Sequence, residues 1–318
     1  MRAVWLTEFG GPEVLVPGEA QDPVPGAGQV LIDVEFVNVP FVEAMVRAGN
    51  SPVPVRWEPP VILGNGVGGV VAEVGAGVDN ALVGRRVVSG TGGLGAYAEK
   101  VVVDASAPFE VPDGLALDDA VGVLTDGRTA VMMLSEVDPR PGDRVLVEAA
   151  AGGVGTLLVQ LAKARGATVV AAVGGAHKFE VPLRLGADDA VDYREPGWAE
   201  KAGPLDVVLD GVGGDVARDA FGRLREGGRM VSFGLASGSW ASIADEEAAS
   251  RGVALVRWPQ ATGRQLRDYT NTALREAAEG RLHPVIGQRF PLEGAADAHA
   301  AIESRATLGR TLLEVRRA

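Results

Sequence analysis

An apolar, β-branched run, Val145-Leu-Val-Glu, ends in Ala149-Ala-Ala-Gly-Gly-Val-Gly155 and passes directly into the helical pattern Thr156-Leu-Leu-Val-Gln-Leu-Ala-Lys-Ala164. Glycines placed between a strand and a helix let the backbone N–H groups of the helix N-terminus approach a phosphate, where the helix dipole favours negative charge. Written against G-x-G-x-x-G, Gly152 and Gly155 take the second and third places, with Gly153 and Val154 between them. Ala150 stands where the first glycine would be, so the motif is a variant. A tight turn would by itself account for Gly152 and Gly153. The sequel narrows the choice: Arg165-Gly-Ala-Thr leads to a second apolar run, Val169-Val-Ala-Ala-Val173, and completes a strand-helix-strand unit of the ~30 residues that dinucleotide sites use.

The end of that second run selects the dinucleotide. An NAD site usually carries Asp or Glu about 20 residues past the glycine turn, to bind the ribose 2′-hydroxyl, whereas a 2′-phosphate calls for cations. Nineteen residues past Gly155 stands Gly174, followed by Gly-Ala-His-Lys178. That turn has no carboxylate and has one lysine and one imidazole, so it accepts a dianionic phosphate instead of repelling it. NADPH is the expected cofactor. Lys178 is also compatible with an ordinary solvated lysine, and His177 reads most simply that way.

Other chemistries are excluded by absence. The chain has no cysteine, hence no disulfide, no thiol nucleophile and no cysteine-ligated zinc. The three histidines, His177, His283 and His299, are far apart and in no metal-binding spacing, so no metal is expected. A net charge of −12 argues against nucleic acid or an anionic membrane as partner. The N-terminus turns polar at once, unlike a signal peptide, and no uncharged apolar stretch reaches ~18 residues, so a cytoplasmic protein is expected.

The elements that must position these residues change character along the chain. At 318 residues the chain is long enough for two cores. Up to about residue 115, short strands are expected at 2–6, 29–37, 69–74, 86–89 and 96–103, separated by Pro and Gly clusters such as Asp22-Pro-Val-Pro-Gly26. This reads as an all-β, partly closed barrel-like domain. From about residue 118, strands and helices alternate. Helices are expected near 117–122 and 125–134, then the strand-helix-strand unit, Leu205-Asp-Val-Val-Leu-Asp210 and Gly228-Arg-Met-Val-Ser-Phe-Gly234, giving a parallel sheet covered on both faces. The closing run Arg310-Thr-Leu-Leu-Glu-Val315 is a lone strand that could return to the first domain.

Taken in order, Arg2-Ala-Val, Gly95-Ala-Tyr-Ala-Glu99, Pro141-Gly-Asp-Arg-Val-Leu-Val, the 149–155 turn, Leu185-Gly-Ala-Asp-Asp-Ala-Val-Asp-Tyr193, Asp210-Gly-Val-Gly-Gly214 and Gly309-Arg-Thr-Leu-Leu resemble the zinc-independent quinone oxidoreductases of the medium-chain dehydrogenase/reductase superfamily. The resemblance runs nearly end to end. It implies an α/β protein: a GroES-like, β-barrel-type catalytic domain (1–117 and 286–318) plus a Rossmann domain with a doubly wound parallel sheet (118–285). A cleft between the domains and a homodimer are further implications. By motif, Lys178 is similar to the lysine that binds the 2′-phosphate, and Tyr193 to the tyrosine packed near it. Thr129 is similar to the threonine near the nicotinamide ribose. Phe233 and Gly234 fall in the loop bordering the nicotinamide, and Arg310 stands where the family often has lysine. Gly152, Gly153, Val154 and Gly155 would hold the pyrophosphate, and Gly174 the adenosine end.

Departures from the family pattern are informative. Glu43, Arg47 and Gly49 fit its acid-x-x-x-Arg-x-Gly segment, but Pro40 replaces the usual asparagine, and Asn38 lies two residues earlier. Leu63-Gly-Asn-Gly-Val-Gly-Gly69 occupies the place where zinc-dependent relatives have Gly-His-Glu. Asn65 and Gly66 stand there instead, and the glycine implies close approach of the backbone to a ligand or to a neighbouring strand.

Hydride transfer to a simple ketone requires stabilisation of the developing alkoxide, which the zinc-dependent relatives achieve with a Lewis acid. A quinone or an α,β-unsaturated carbonyl delocalises that charge and asks for little more than a hydrogen bond and a proton. Metal-free hydride transfer from NADPH to such a small-molecule acceptor is therefore expected, mainly through proximity and orientation, with no side chain assigned as an obligatory acid. Tyr97 reads as strand packing first. Residues 47–60, with Trp57, and 237–257, with Trp240, are expected to border the substrate. Two alternatives stay open: reduction of a 2-enoyl thioester, disfavoured by the lack of an early tyrosine beside Phe36 and Phe41, and a cofactor-binding sensor without turnover.

Overall fold

Thirteen strands of six or fewer residues and three longer ones alternate with ten helices among the residues that the computed structural model describes, 1–52, 54–257 and 259–315. Residue 53, in the segment expected to border the substrate, and 316–318, the end of the expected first domain, lie outside the described residues. Two compact units emerge: Met1–Thr125 with Leu274–Ala318, and Asp126–Ala273.

The first unit is built on β1 (Arg2–Leu6), β2 (Leu15–Glu19), β3 (Gln29–Val39), α1 (Phe41–Arg47), β4 (Val61–Ile62), β5 (Gly66–Val74), β6 (Arg86–Gly90), β7 (Lys100–Asp104), β8 (Phe109–Glu110) and α2 (Leu117–Leu124). Long β3 organises it. One edge pairs with β5 throughout; the other pairs with β7 over 29–33 and with the last strand of the chain over 36–39. Its inward residues Val30, Ile32, Val34 and Val37 are fully buried, as the apolar alternation of an antiparallel strand requires. The strand expected at 96–103 begins only at Lys100. Residues 96–99 are instead held by Val4 N–H on the Tyr97 carbonyl (2.9 Å) and Tyr97 N–H on the Leu63 carbonyl (2.9 Å). This route takes the Tyr97 side chain into the core.

The second unit follows with α3 (Asp126–Val137), β9 (Arg144–Glu148), α4 (Gly153–Ala164), β10 (Thr168–Val173), α5 (Glu180–Arg184), β11 (Asp189–Asp192), α6 (Trp198–Ala202), β12 (Leu205–Asp210), α7 (Gly214–Gly222), β13 (Leu224–Ser232), α8 (Asp245–Ser250) and β14 (Ala254–Arg257). Its strands form one parallel sheet in the order β11-β10-β9-β12-β13-β14. Central strands β9, β10 and β12 are apolar on both faces, the signature of a sheet covered by helices on each side. The order reverses between β9 and β12, which makes their carboxyl ends the crevice where such folds bind ligands. Helix α9 (Gly263–Ala278) then crosses the unit boundary and leads to β15 (Ile286–Pro291), α10 (Ala295–Glu303) and β16 (Arg310–Glu314). β16 pairs with β3, so the closing strand does return to the first unit.

The unit boundaries fall later and earlier than the 117/118 and 285/286 expected from sequence. At the first boundary, α2 packs on the first unit. A methyl built on Gly68 of β5 would lie 2.3 Å from Val121, and one on Gly122 would lie 2.9 Å from Ile286. Glycine on both surfaces seats the helix directly on its own unit.

Candidate active site

The glycine turn lies at the carboxyl end of β9, as its spacing suggests. Gly152 is the N-cap of α4 and gives no side-chain cap, which leaves the first N–H groups of the helix, from Gly153, Val154 and Gly155, without one. Gly155 is required by contact: a Cβ there would lie 2.2 Å from the Ala149 carbonyl oxygen. Ala149 itself takes φ 49°, a left-handed conformation costly for an L-residue, and its carbonyl accepts the Gly152 N–H at 2.8 Å.

At the neighbouring ends of β10 and β11 the chain makes a second cradle. A Cβ on Gly174 would lie 2.6 Å from the Tyr193 hydroxyl, and one on Gly175 would lie 2.6 Å from the Arg194 guanidinium and from the His177 ring. Lys178 closes the short turn that follows, its N–H bonded to the Gly175 carbonyl at 2.9 Å. Beyond β12 and β13, Phe233 N–H bonds the Asp210 carbonyl (2.9 Å) and its ring lies against Gly211, while Gly234 is pressed on the Gly211 backbone. Gly152, Gly153, Val154, Gly155, Gly174, Lys178, Tyr193, Phe233 and Gly234 thus all lie at the carboxyl ends of the parallel strands. Thr129 is half-buried near the start of α3. Arg310 is not among them: it lies in β16 of the first unit, where burial lowers its pKa to about 10 against the opposing charges of Glu43 and Tyr97.

These residues fit a dinucleotide. An uncapped helix N-terminus, glycines that leave room against the backbone, and cationic side chains at the end of β10 meet the needs of a pyrophosphate and a ribose phosphate.

Beneath the glycine turn, Glu148 and Asp210 end β9 and β12 and are both fully buried. Asp210 accepts from the N–H groups of Val212 (3.1 Å) and Gly213 (2.7 Å), and Glu148 accepts from Val212 N–H at 3.3 Å. Burial, then the Asp210 charge and the hydrogen bond to it, hold the Glu148 pKa well above the usual carboxylate range. Burial and the neighbouring Asp210 charge favour the protonated form of Glu148. A charged residue ending an otherwise apolar strand was the signal available in the sequence.

In the first unit, Tyr97 joins two more polar groups in the core. Its hydroxyl donates to Glu43 Oε2 at 2.6 Å and meets His299 Nε2 at 2.8 Å, and Glu43 Oε1 accepts the Asn65 N–H at 2.9 Å. Burial lifts Glu43 to about 7 and depresses His299 to about 3. Asn65 Oδ1 is occupied by the N–H groups of Gly92 and Gly93 (3.0 and 3.1 Å). The room beside Gly66 is filled by Asn38 of the adjacent strand, whose amide would lie 2.6 Å from a Cβ there and bonds Thr125 Oγ1 at 3.1 Å. The close approach implied by that glycine is therefore to a neighbouring strand. Trp57 stacks on Phe9 within this unit, with ring centroids 6.0 Å apart, and Trp240 of the second unit is exposed.

Comparison with known proteins agrees with this geometry. Residues 26–113 match the family described as alcohol dehydrogenase GroES-like domain, and 185–313 the one described as zinc-binding dehydrogenase. A 2-haloacrylate reductase of a Burkholderia species is 34% identical, with 98% of each chain covered. A quinone oxidoreductase of Salmonella typhimurium is 32% identical over 96% of this chain and 97% of its own. The chain belongs to the zinc-independent quinone oxidoreductases of the medium-chain dehydrogenase/reductase superfamily. The solved structure of the Escherichia coli quinone oxidoreductase complexed with NADPH superposes with a TM-score of 0.89 at 30% identity, covering 99% of this chain and 100% of the other. Among the described residues of this family member, no group of three or more His, Asp or Glu side chains could hold a metal ion, and no helix is long and apolar enough to cross a membrane.

Proposed function

We propose that this oxidoreductase uses NADPH to reduce a quinone or an α,β-unsaturated carbonyl without a metal. One observation carries the reading: where zinc-dependent relatives place ligands, Asn65 is spent on backbone amides and Gly66 is covered by Asn38. A site of this kind has no Lewis acid with which to stabilise an alkoxide, and suits an acceptor that spreads the charge itself. When bound, NADPH supplies a hydride from nicotinamide C4. The N–H groups of Gly153, Val154 and Gly155 hold the pyrophosphate, and Lys178 with Tyr193 the 2′-phosphate. Phe233 and Gly234 border the nicotinamide, Thr129 lies near its ribose, and Arg310 takes the place of the family lysine. The chain's part in the chemistry is binding and orientation. Two relatives support the acceptor class by name, one for a quinone and one for a 2-haloacrylate, itself a conjugated acid. The working form is a homodimer in the cytoplasm.

The test is loss of nicotinamide absorbance with p-benzoquinone, phenanthrenequinone, a 2-alkenal and 2-chloroacrylate, with NADH beside NADPH. Turnover of at least one conjugated acceptor, unaffected by a chelator, is expected. Cofactor binding without turnover of any acceptor would favour a sensor, and turnover confined to enoyl thioesters would move the chain to that class.

A further inference from the structure

The polar groups around the end of β10 include one that the motif does not name. Arg194 follows Tyr193 directly, and its guanidinium is held by Asp192 through Nε to Oδ1 at 3.1 Å and Nη2 to Oδ2 at 3.0 Å, while its backbone N–H bonds Oδ1 at 3.0 Å. The same carboxylate accepts the Gly175 N–H. One buried acid thus fixes both the glycine turn after β10 and an arginine lying back over that turn. Asp192 is 6% exposed, whereas Arg194 is 58% exposed, so the pair presents its cationic half to solvent. A guanidinium has five N–H donors in a planar fork, and two of Arg194's are engaged by Asp192. The Nη2 end of the guanidinium lies against Gly175, 2.6 Å from where a Cβ would stand, beside Gly174, whose own Cβ would meet the Tyr193 hydroxyl at 2.6 Å.

We propose that Arg194, positioned by Asp192, is a second cation for the 2′-phosphate and sets the preference for NADPH over NADH. The proposal rests on the reading that the 2′-phosphate lies at the end of β10 beside Lys178. Its physical content goes further than adding a charge. Without Arg194, the Asp192 carboxylate would lie near the phosphate unscreened, and like charges would repel. The fork also suits a phosphate dianion, which can take two parallel N–H bonds, in a way a lysine cannot reproduce. Arg194 therefore discriminates twice, by attraction and by masking an acid. NADH, with a neutral 2′-hydroxyl, benefits from neither.

The experiment is an equilibrium titration, by nicotinamide fluorescence, of NADPH and NADH against the full-length wild type, Lys178→Ala, Arg194→Ala, Arg194→Lys and the double variant Asp192→Asn/Arg194→Ala. Melting temperatures are read in parallel. Arg194→Ala is expected to weaken NADPH about 10- to 100-fold, the range of a charge-assisted pair, and NADH less than about 2-fold. The double variant should recover part of the loss, because the unmasked carboxylate is gone. Arg194→Lys should fall between wild type and alanine. Equal weakening of both nucleotides would make Arg194 a mere support of the turn and overturn the proposal; so would an unchanged NADPH affinity. If Lys178→Ala loses the preference and Arg194→Ala keeps it, only the role of Arg194 falls. If wild type binds both nucleotides alike, the 2′-phosphate reading falls with it.

Discussion

Asn38 and Gly66 share one volume. They face each other across β3 and β5, Asn38 is 1% exposed, and a methyl on residue 66 would lie 2.6 Å from its amide. Gly66→Ala therefore forces a buried amide to move and to loosen its bond to Thr125, at an expected cost of about 1–3 kcal/mol. In an Asn38→Ala background the same methyl fills the space that the amide leaves, and the cost should largely vanish. Urea unfolding of the four proteins measures the coupling; additivity within about 0.5 kcal/mol would show that the two residues do not compete. This pairing was half legible. The sequence marks Gly66 as a close approach, but it does not say to what, because the answer lies on another strand.

At the scale of elements, the ends of β9 and β12 carry the unexpected chemistry. If Glu148 is held as a neutral acid by burial and by Asp210, then Glu148→Gln keeps its shape and its donor while removing the proton that can be lost. The sign follows from linkage. A carboxyl whose folded pKa is raised stabilises the fold while protonated and loses that contribution as pH rises through the raised value. Glu148→Gln should therefore match the wild type near neutrality and exceed it in melting temperature toward alkaline pH. A variant less stable than wild type at every pH would mean that the carboxylate is the form the fold needs. Elements were the most legible scale. The glycine turn, the parallel strands and the returning last strand follow from apolar runs and glycine placement, which are local. The seat of α2 does not, since it depends on Gly68 and Gly122 meeting surfaces far away in sequence. Arg194 was missed because its approach to Gly175 spans two strands, and the meeting of Glu43, Tyr97 and His299 because 54 and 202 residues separate the partners.

For the molecule as a whole, the buried Glu43, Tyr97 and His299 chain shapes stability against pH in two opposing ways. His299 falls from its ordinary 6.5 to about 3, so its contribution is lost as pH drops through that window. Glu43 rises from 4.5 to about 7, so its contribution is lost as pH climbs through that one. Each unmatched proton tilts stability by about 1.4 kcal/mol per pH unit. Between 4.5 and 6.5 the two cancel, and below 4.5 the histidine acts alone. His299→Gln should flatten the acid limb and expose, from pH 4.5 to 6.5, a decline that the wild type shows only above 6.5. Denaturant titrations at several pH values check this, and an unchanged acid limb would remove His299 from the account.

The return of β16 to β3 has a consequence for how the protein is made. During synthesis β3 leaves the ribosome early, and its edge over 36–39 has no partner until residues 311–314 are translated. The parallel-sheet unit, encoded between, has all its strands by then. The nascent chain must therefore carry an open strand edge through most of its translation, exposed to pairing with other chains. Slow translation or an early stop puts the first unit at risk while the second can fold unharmed.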